Sequence, residues 1–150
     1  MRDEFFGGLN FGKSGARISI INLKKELRYS NSVPYECNFK NPISWINSCE
    51  KLLYSLPINI KRNIVNLAIS GTSGTLTAFD LKGAPIGEAI PYDQGCNKNR
   101  CLIKSLTVAE DHLQSPYSSL AKALNLIDKY GTNILLRHQS DWITGWFLKD

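Results

Sequence analysis

Runs of apolar residues along the chain predict most of its strands. Residues 16–23 (ARISIINL) are rich in β-branched side chains and predict a strand, and residues 27–33 (LRYSNSV) predict a return strand after the polar turn at residues 24–26. Residues 64–70 (IVNLAIS) are almost continuously apolar, which is typical of a strand buried on both faces. Residues 76–80 (LTAFD) predict a further strand between two glycine-containing turns.

Helical periodicity is clearest in residues 41–57 (NPISWINSCEKLLYSLP). Asn41 is the expected N-cap, Pro42 occupies the first helical position and Pro57 ends the helix. The apolar positions that fall on one predicted face are Ile43, Ile46, Cys49, Leu53 and Leu56.

Two more helices are predicted in the last third of the chain. Residues 115–131 have Ser115 as the expected N-cap, an apolar face at Leu120, Leu124 and Ile127, and Gly131 as the stop. Residues 137–148 (RHQSDWITGWFL) predict the last helix, and residues 86–111 a short strand followed by a loop. With a first strand that ends in residues 8–11 (GLNF), the order is three strands, a helix, two strands and two helices, which favours an α/β domain with a mixed sheet.

Length and composition are typical of one globular domain with a substantial core. The chain has 150 residues, of which 43% are hydrophobic and 21% charged. No apolar run approaches the roughly 18 residues that a membrane span needs, and the start shows no signal peptide, so we expect a cytoplasmic protein without a membrane partner. The net charge is +5, but the basic residues are scattered, which favours an anionic small ligand such as a nucleotide over nucleic acid.

The four cysteines match no zinc or redox spacing. Cys96 and Cys101 flank residues 97–100 (NKNR), and a disulfide closing that loop is one alternative. Free thiols are the other, and they suit a protein with no sign of export.

Residues 7–14 (GGLNFGKS) match the P-loop pattern G-x-x-x-x-G-K-[ST] letter for letter. A P-loop needs a helix that starts at its Lys-Ser pair, whereas the β-branched run after Gly15 favours a strand. Asp80, at the end of residues 76–80, is similar to the magnesium-binding Asp of P-loop enzymes but also suits the start of a tight turn. The alternative is a hairpin whose glycine-rich turn, residues 12–15, lets backbone N–H groups approach a phosphate, or which binds nothing.

Five blocks of the sequence, in order, resemble the FGGY carbohydrate kinases. Their residues are most similar to those of the xylulose- and ribulose-kinase-like branch. They are residues 8–22 (GLNFGKSGARISIIN), 68–86 (AISGTSGTLTAFDLKGAPI), 91–93 (PYD), 115–127 (SPYSSLAKALNLI) and 137–148 (RHQSDWITGWFL). The resemblance implies a ribonuclease-H-like (actin-like ATPase) domain with a five-stranded mixed sheet flanked by helices. It also implies transfer of a phosphoryl group from ATP, with Mg²⁺, to a sugar hydroxyl. In such kinases a second, C-terminal domain closes over the site and excludes water.

The resemblance assigns roles residue by residue. Residues matching the phosphate-facing turn and the basic position just after it are Gly12, Lys13, Ser14 and Arg17. Residues matching the family's sugar-contacting positions are Ser73, Gly74, Thr75, Asp93 and Tyr117.

Each sugar-contacting assignment has a structural alternative. Thr72, Ser73 and Thr75 would then satisfy turn backbone, Asp93 would be a surface charge, and Tyr117 would pack in the core. Other residues of interest are expected to be structural rather than catalytic: His112, His138, Asp141, Trp142 and Trp146.

Three departures from the family concern the opening motif and the length. Asn10 replaces the family's first-strand Asp, which helps to hold magnesium, so metal affinity is expected to fall. Lys13 replaces the usual Thr or Ser and either compensates with a positive charge or is simply solvated. The family's catalytic-base Asp would lie after Asp150, so the chain is expected to be the N-terminal, sugar-binding half (residues 1–150) of a two-domain kinase and inactive by itself.

Three hypotheses therefore remain for the function. The first is the sugar-binding half of an ATP-dependent kinase that acts on a pentulose such as xylulose or ribulose. The second is a degenerate, non-catalytic sugar- or partner-binding module of the same fold, which Asn10 favours. The third is a P-loop NTPase. A sugar and the C-terminal domain are the expected partners, and a homodimer stays open.

Overall fold

The computed structural model describes residues 4–108 and 111–149 of the chain. It divides into two compact units, of which one is Thr72–Trp142 and the other comprises the described residues before and after that segment. In chain order the elements are β1 (Phe5–Phe11), β2 (Gly15–Asn22), β3 (Leu27–Pro34), α1 (Pro42–Ser55), α2 (Ile58–Lys61), β4 (Ile64–Gly71), β5 (Leu76–Phe79), α3 (Arg100–Leu106), a 3₁₀ turn (His112–Gln114), α4 (Ser119–Tyr130), β6 (Leu135–His138) and α5 (Gln139–Leu148). Among these described helices, none combines the length and the apolar character that a bilayer crossing demands.

The first unit is built on a four-stranded mixed sheet in the order β3-β2-β1-β4. The β1–β2 and β2–β3 pairs are antiparallel, and β1 and β4 are parallel. Alternation along β1 and β2 buries one face of the sheet, on which α1 packs. The apolar residues of that buried face are Phe5, Leu9, Phe11, Ala16, Ile18 and Ile20. The mixed sheet is confirmed, but the expected five strands in one sheet are wrong: the described strands form a sheet of four and a sheet of two.

The turn between β1 and β2 decides between the two interpretations of GGLNFGKS. Strand β1 ends at Phe11, and β2 begins at Gly15 and pairs with β1 along its whole length. The P-loop hypothesis is wrong because a strand follows the Lys-Ser pair where a P-loop needs a helix. Asp80 starts a tight turn, which was the alternative to a magnesium-binding role. One of its carboxylate oxygens accepts from the backbone N–H groups of Lys82 and Ala84.

Helix α1 begins as predicted, because the side chain of Asn41 accepts from the backbone N–H of Ile43. Its buried face is rotated from the predicted one: Trp45, Cys49 and Leu52 are fully buried, whereas Ile43 is 46% exposed. Strand β4 was expected to be buried on both faces, and this is wrong because none of its residues is fully buried and Val65 is 50% exposed. Its only partner strand among the described residues is β1.

The second unit places helix α4 against a two-stranded antiparallel sheet of β5 and β6. All four residues of β5 are buried. The unit's core cluster consists of Leu76, Ala78, Ile90, Cys96, Ile103, Ala121 and Leu126. Trp142 packs on Phe79 with ring centroids 5.0 Å apart, as core packing predicts, whereas Trp146 is 36% exposed.

Three local predictions in the second unit are corrected. Helix α3 occupies Arg100–Leu106, where a loop was expected; residues 109 and 110 of that loop lie outside the described residues. Arg137 and His138 belong to β6, so the last helix begins at Gln139. The N-cap of α4 is Ser118, whose hydroxyl accepts from the backbone N–H of Ala121, and not Ser115. Gly131 ends α4 as predicted, at φ +84°.

All four cysteines are free thiols, so of the two alternatives for Cys96 and Cys101 the disulfide is wrong.

Candidate functional site

The turn at residues 12–14 is held closed from both sides. The backbone N–H of Gly12 donates to the carbonyl of Gly15 at 3.0 Å, and the hydroxyl of Tyr35 donates to the carbonyl of Gly12 at 2.8 Å. The side chains of Lys13 and Ser14 are exposed. The structure thus brings three of the predicted phosphate-binding residues together on one tight turn.

A row of polar residues crosses the exposed face of the four-stranded sheet next to this turn. Strand pairing puts Ser32, Arg17, Asn10 and Ser70 side by side on β3, β2, β1 and β4. All four are exposed, and the amide of Asn10 donates to the hydroxyl of Ser70 at 2.8 Å. Directly opposite residues on neighbouring strands have Cβ atoms about 4.5–5.5 Å apart, so Arg17 and Asn10 are direct neighbours.

The charge of this region suits an anion better than a metal ion. Lys13 and Arg17 contribute positive charge, and Asn10 contributes a neutral amide. Across residues 4–108 and 111–149, no group of three or more His, Cys, Asp or Glu side chains is arranged to hold a metal. Magnesium prefers carboxylate and phosphate oxygens, so these side chains do not by themselves form a magnesium site.

In the second unit, residues 72–75 form a turn in which the hydroxyl groups of Thr72 and Thr75 are hydrogen-bonded to each other. The Thr75 side chain is fully buried, and its hydroxyl lies 2.7 Å from the hydroxyl of Thr72. Gln139 accepts from both the backbone N–H and the hydroxyl of Thr72, at 2.8 and 2.9 Å. Ser73 is exposed, and Gly74 has φ +74°, a conformation that favours glycine. Of the three predicted sugar contacts on this turn, Ser73 therefore offers a side chain to solvent.

Lys122 on α4 lies beneath the same turn and is fully buried. Its ammonium donates to the carbonyl of Gly74 at 2.6 Å. Burial lowers the pKa of Lys122, while the nearby Cys96 and Asp93 act in the opposite direction. On the other side of the turn, the Nδ1 atom of His138 lies 3.1 Å from the carbonyl oxygen of Thr75, which gives this histidine the structural role expected of it.

Asp93 and Tyr117 are both exposed. Asp93 lies in a turn in which the backbone N–H of Gln94 donates to the carbonyl of Pro91 at 3.1 Å. Tyr117 is 53% exposed, so it is not a core residue. Its ring lies against Gly95. Both side chains are accessible from solvent, but their predicted contacts with a sugar stay predictions.

Sequence reasoning missed four residues that shape these two turns. Tyr35 and Ser70 contact the first turn and the strand beside it, and Gln139 and Lys122 hold the second. Lys122 gave no sequence signal, because it lies off the apolar face predicted at Leu120, Leu124 and Ile127. The other three bonds join positions 23 to 67 residues apart, which no local pattern reveals.

Comparison with solved structures gives the fold. No family model matches the chain. The chain is similar to a xylulose kinase from Rhodospirillum rubrum (TM-score 0.79, 16% identity, 95% of this chain and 33% of that one) and to a gluconate kinase from Lactobacillus acidophilus (0.79, 14%, 95% and 33%). It is also similar to a Plasmodium falciparum glycerol kinase solved with ADP (0.72, 13%, 95% and 34%).

The chain spans about a third of the length of the structures it matches. At identities below 20%, the likeness establishes architecture rather than activity. The protein has the mixed α/β, actin-like ATPase fold of the carbohydrate kinases.

Proposed function

We propose that this chain is the sugar-binding, N-terminal part of an ATP-dependent carbohydrate kinase that phosphorylates a pentulose such as xylulose or ribulose. The observation that carries the proposal is the likeness to carbohydrate kinases over 95% of the chain, together with a glycine-rich hairpin that has basic residues on and beside it. A cytoplasmic location belongs to the same proposal.

The hairpin is the proposed contact with the phosphates of ATP. Gly12 leaves open space at the turn, since a methyl group there would meet only atoms at 3.7 Å or more. The fold itself thus does not need glycine at this position, whereas close approach of a phosphate would. Lys13 and Arg17 would supply the charge that a polyphosphate requires.

The proposed sugar contacts lie on the second unit. Ser73 and Asp93 offer exposed polar side chains, and hydroxyl and carboxylate groups are suited to hydrogen-bond sugar hydroxyls. Tyr117 offers an exposed ring on which the apolar face of a sugar can stack. Thr75, whose hydroxyl is buried, would act by shaping the turn.

More of the kinase is expected beyond this chain. Matched proteins are about three times as long as this chain. A further domain of such a longer protein would carry the catalytic base. The 150-residue chain alone is therefore proposed to be inactive.

Magnesium enters this proposal only as the ion that ATP itself brings. Asn10 cannot supply the negative charge of a carboxylate, so direct help from this strand in holding the ion would be weak. Replacing Asn10 by Asp restores that carboxylate and therefore tests whether this strand helps to hold the metal ion.

The test uses the protein produced from its complete reading frame, assayed for ADP release with ATP, Mg²⁺ and either xylulose or ribulose. Asn10→Asp is expected to raise kcat, because a carboxylate at this position helps to hold the metal that neutralises charge in phosphoryl transfer. Ser32→Asp is the matched control, since it adds the same charge on the other side of Arg17. If neither the native protein nor Asn10→Asp phosphorylates any pentulose tried, the kinase proposal is lost.

The second candidate is a non-catalytic sugar-binding module of the same fold. The observation that favours it is Asn10, whose amide is engaged by Ser70 where the resembled family has a metal-assisting carboxylate. Calorimetric titration with xylulose and ribulose separates the two candidates. Binding without turnover in both the native protein and Asn10→Asp would favour the module.

A further inference from the structure

Lys122 is the one fully buried basic side chain among the described residues. Lysine is rarely buried completely unless its charge is compensated, because removing an ammonium from water is costly. Residues on either side of it in α4 belong to or pack on the unit's core, including Ala121 and Ala123. The chain therefore keeps a charge where an apolar residue would pack.

The ammonium of Lys122 is directed at the turn that carries Ser73. It donates to the carbonyl of Gly74 at 2.6 Å, and because the donor is an ammonium this is a charge-assisted hydrogen bond. A methyl group on Gly74 would lie 3.8 Å from this ammonium and 3.9 Å from the Cβ atom of Tyr92. The turn, the lysine and the residue before Asp93 thus meet in one place.

Asp93 acts on the same ammonium electrostatically. Its negative charge, like that of a Cys96 thiolate, favours the protonated form of Lys122, while burial opposes it and lowers the pKa overall. Lys122 consequently links the Ser73–Gly74 turn and the Asp93 loop, and Gly74 and Asp93 are 19 positions apart in sequence.

We propose that Lys122 is a positioning residue whose ammonium fixes the carbonyl of Gly74 and draws the Asp93 loop toward it, so that Ser73 and Asp93 are presented together. The arrangement of the two segments rests on the hydrogen bond from Lys122 to Gly74 and on the approach of Tyr92 to Gly74. The further statement that they present groups to a sugar rests on the proposed function.

Removing the ammonium would free both segments. The Gly74 carbonyl would lose its charged donor, and the turn would keep the bonds from Thr72 to Gln139 and the long 3.4 Å contact from the N–H of Thr75 to the carbonyl of Thr72. Lys122→Met keeps an unbranched apolar side chain of similar length at this position, so the surrounding core stays filled.

Hydrogen–deuterium exchange of the complete protein tests the positioning role without depending on catalysis. The amides of Thr72, Leu76 and Cys96 are hydrogen-bonded and report on the two segments. In Lys122→Met we expect peptides covering residues 72–76 and 92–96 to exchange about tenfold faster or more, the change that loss of a charged hydrogen bond produces. Leu126→Ala is the matched control, because it removes a buried core side chain from the same helix without removing the ammonium.

The proposal is overturned if exchange in these two segments is unchanged in Lys122→Met, or if Leu126→Ala accelerates it equally. A second measurement needs no variant: the NMR signal of the Lys122 ammonium in the native protein should shift when xylulose or ribulose is added, and an unchanged signal with sugar bound would contradict coupling to the sugar site. If the native protein binds neither sugar, the proposed function fails, and the exchange comparison still decides the role of Lys122.

Discussion

Gly12 and Gly15 lie at the two ends of the turn between β1 and β2, yet the structure gives them different reasons to be glycine. A methyl group on Gly15 would overlap the backbone carbonyl oxygen of Val33 and lie 2.9 Å from the Cα atom of Pro34. Both obstacles are backbone atoms of β3, which cannot rotate away. A methyl group on Gly12 would be 3.7 Å from the nearest atom found, the carbonyl oxygen of Gly15, which is ordinary contact.

The two alanine variants should therefore differ widely in stability. Gly15→Ala must displace β3 from β2, and overpacking plus the loss of a ladder hydrogen bond or two is expected to cost roughly 2–4 kcal/mol of unfolding free energy. Gly12 has no positive φ, so Gly12→Ala should change stability by about 0.5 kcal/mol or less, or stabilise the fold slightly by restricting the unfolded chain.

Urea unfolding followed by tryptophan fluorescence measures both effects, with the buried Trp45 as a reporter in the same unit. Binding of ATP is then compared by calorimetry in the native protein and in Gly12→Ala. If a phosphate approaches the turn as proposed, the methyl group should weaken binding about tenfold, or ~1.4 kcal/mol. Equal stability of the two variants would refute the register of β2 and β3, and unchanged ATP affinity in Gly12→Ala would refute the phosphate contact.

Two further predictions concern single side chains of the first unit. Tyr35→Phe removes the hydroxyl that donates to Gly12, so amide exchange in residues 12–15 should accelerate and the unfolding free energy should fall by about 0.5–1.5 kcal/mol; native-like exchange would contradict this role. Burial raises the pKa of Cys49 from 9.0 to about 12, so the folded state holds this proton more tightly than the unfolded state. The unfolding free energy should therefore be constant below about pH 9 and fall between about pH 9 and pH 12, by up to ~1.4 kcal/mol per pH unit. Cys49→Ala should flatten that decline in a urea-unfolding series measured against pH.

Local signals predicted those elements whose ends are set by their own residues. Asn41 and Pro42 fixed the start of α1, Gly131 fixed the end of α4, and the β-branched run of residues 16–23 predicted β2. The helices and strands that were missed are short: α2 and β6 have four residues each and α3 has seven. Strand β6 exists because it pairs with β5, some 60 residues earlier, and such a partner leaves no local periodicity.

Burial was predicted less well than secondary structure, since it depends on what lies against an element. The apolar run of β4 indicated a strand covered on both faces, but its side chains are partly or largely exposed in the described protein. A run of apolar residues shows that a surface is suited to burial and does not identify what buries it. For the candidate site, the sequence indicated the two turns, whereas Tyr35, Gln139 and Lys122 came only from the fold.

Asn10 and Lys13, the two departures from the kinase pattern in the opening motif, both change the charge beside the proposed phosphate contact. An Asp in place of Asn10 would face Arg17 across the β1–β2 pair and would partly neutralise it. With Asn10 the amide is bonded to Ser70, so no carboxylate at this position offsets Arg17, and Lys13 adds a second positive charge on the adjacent turn. A polyphosphate at this turn would then be balanced more by side chains and less by a metal ion. Binding of ATP by the native protein should accordingly depend weakly on Mg²⁺, and Asn10→Asp should make it depend strongly on Mg²⁺. Equal dependence in the two proteins would mean that the phosphates do not approach this strand.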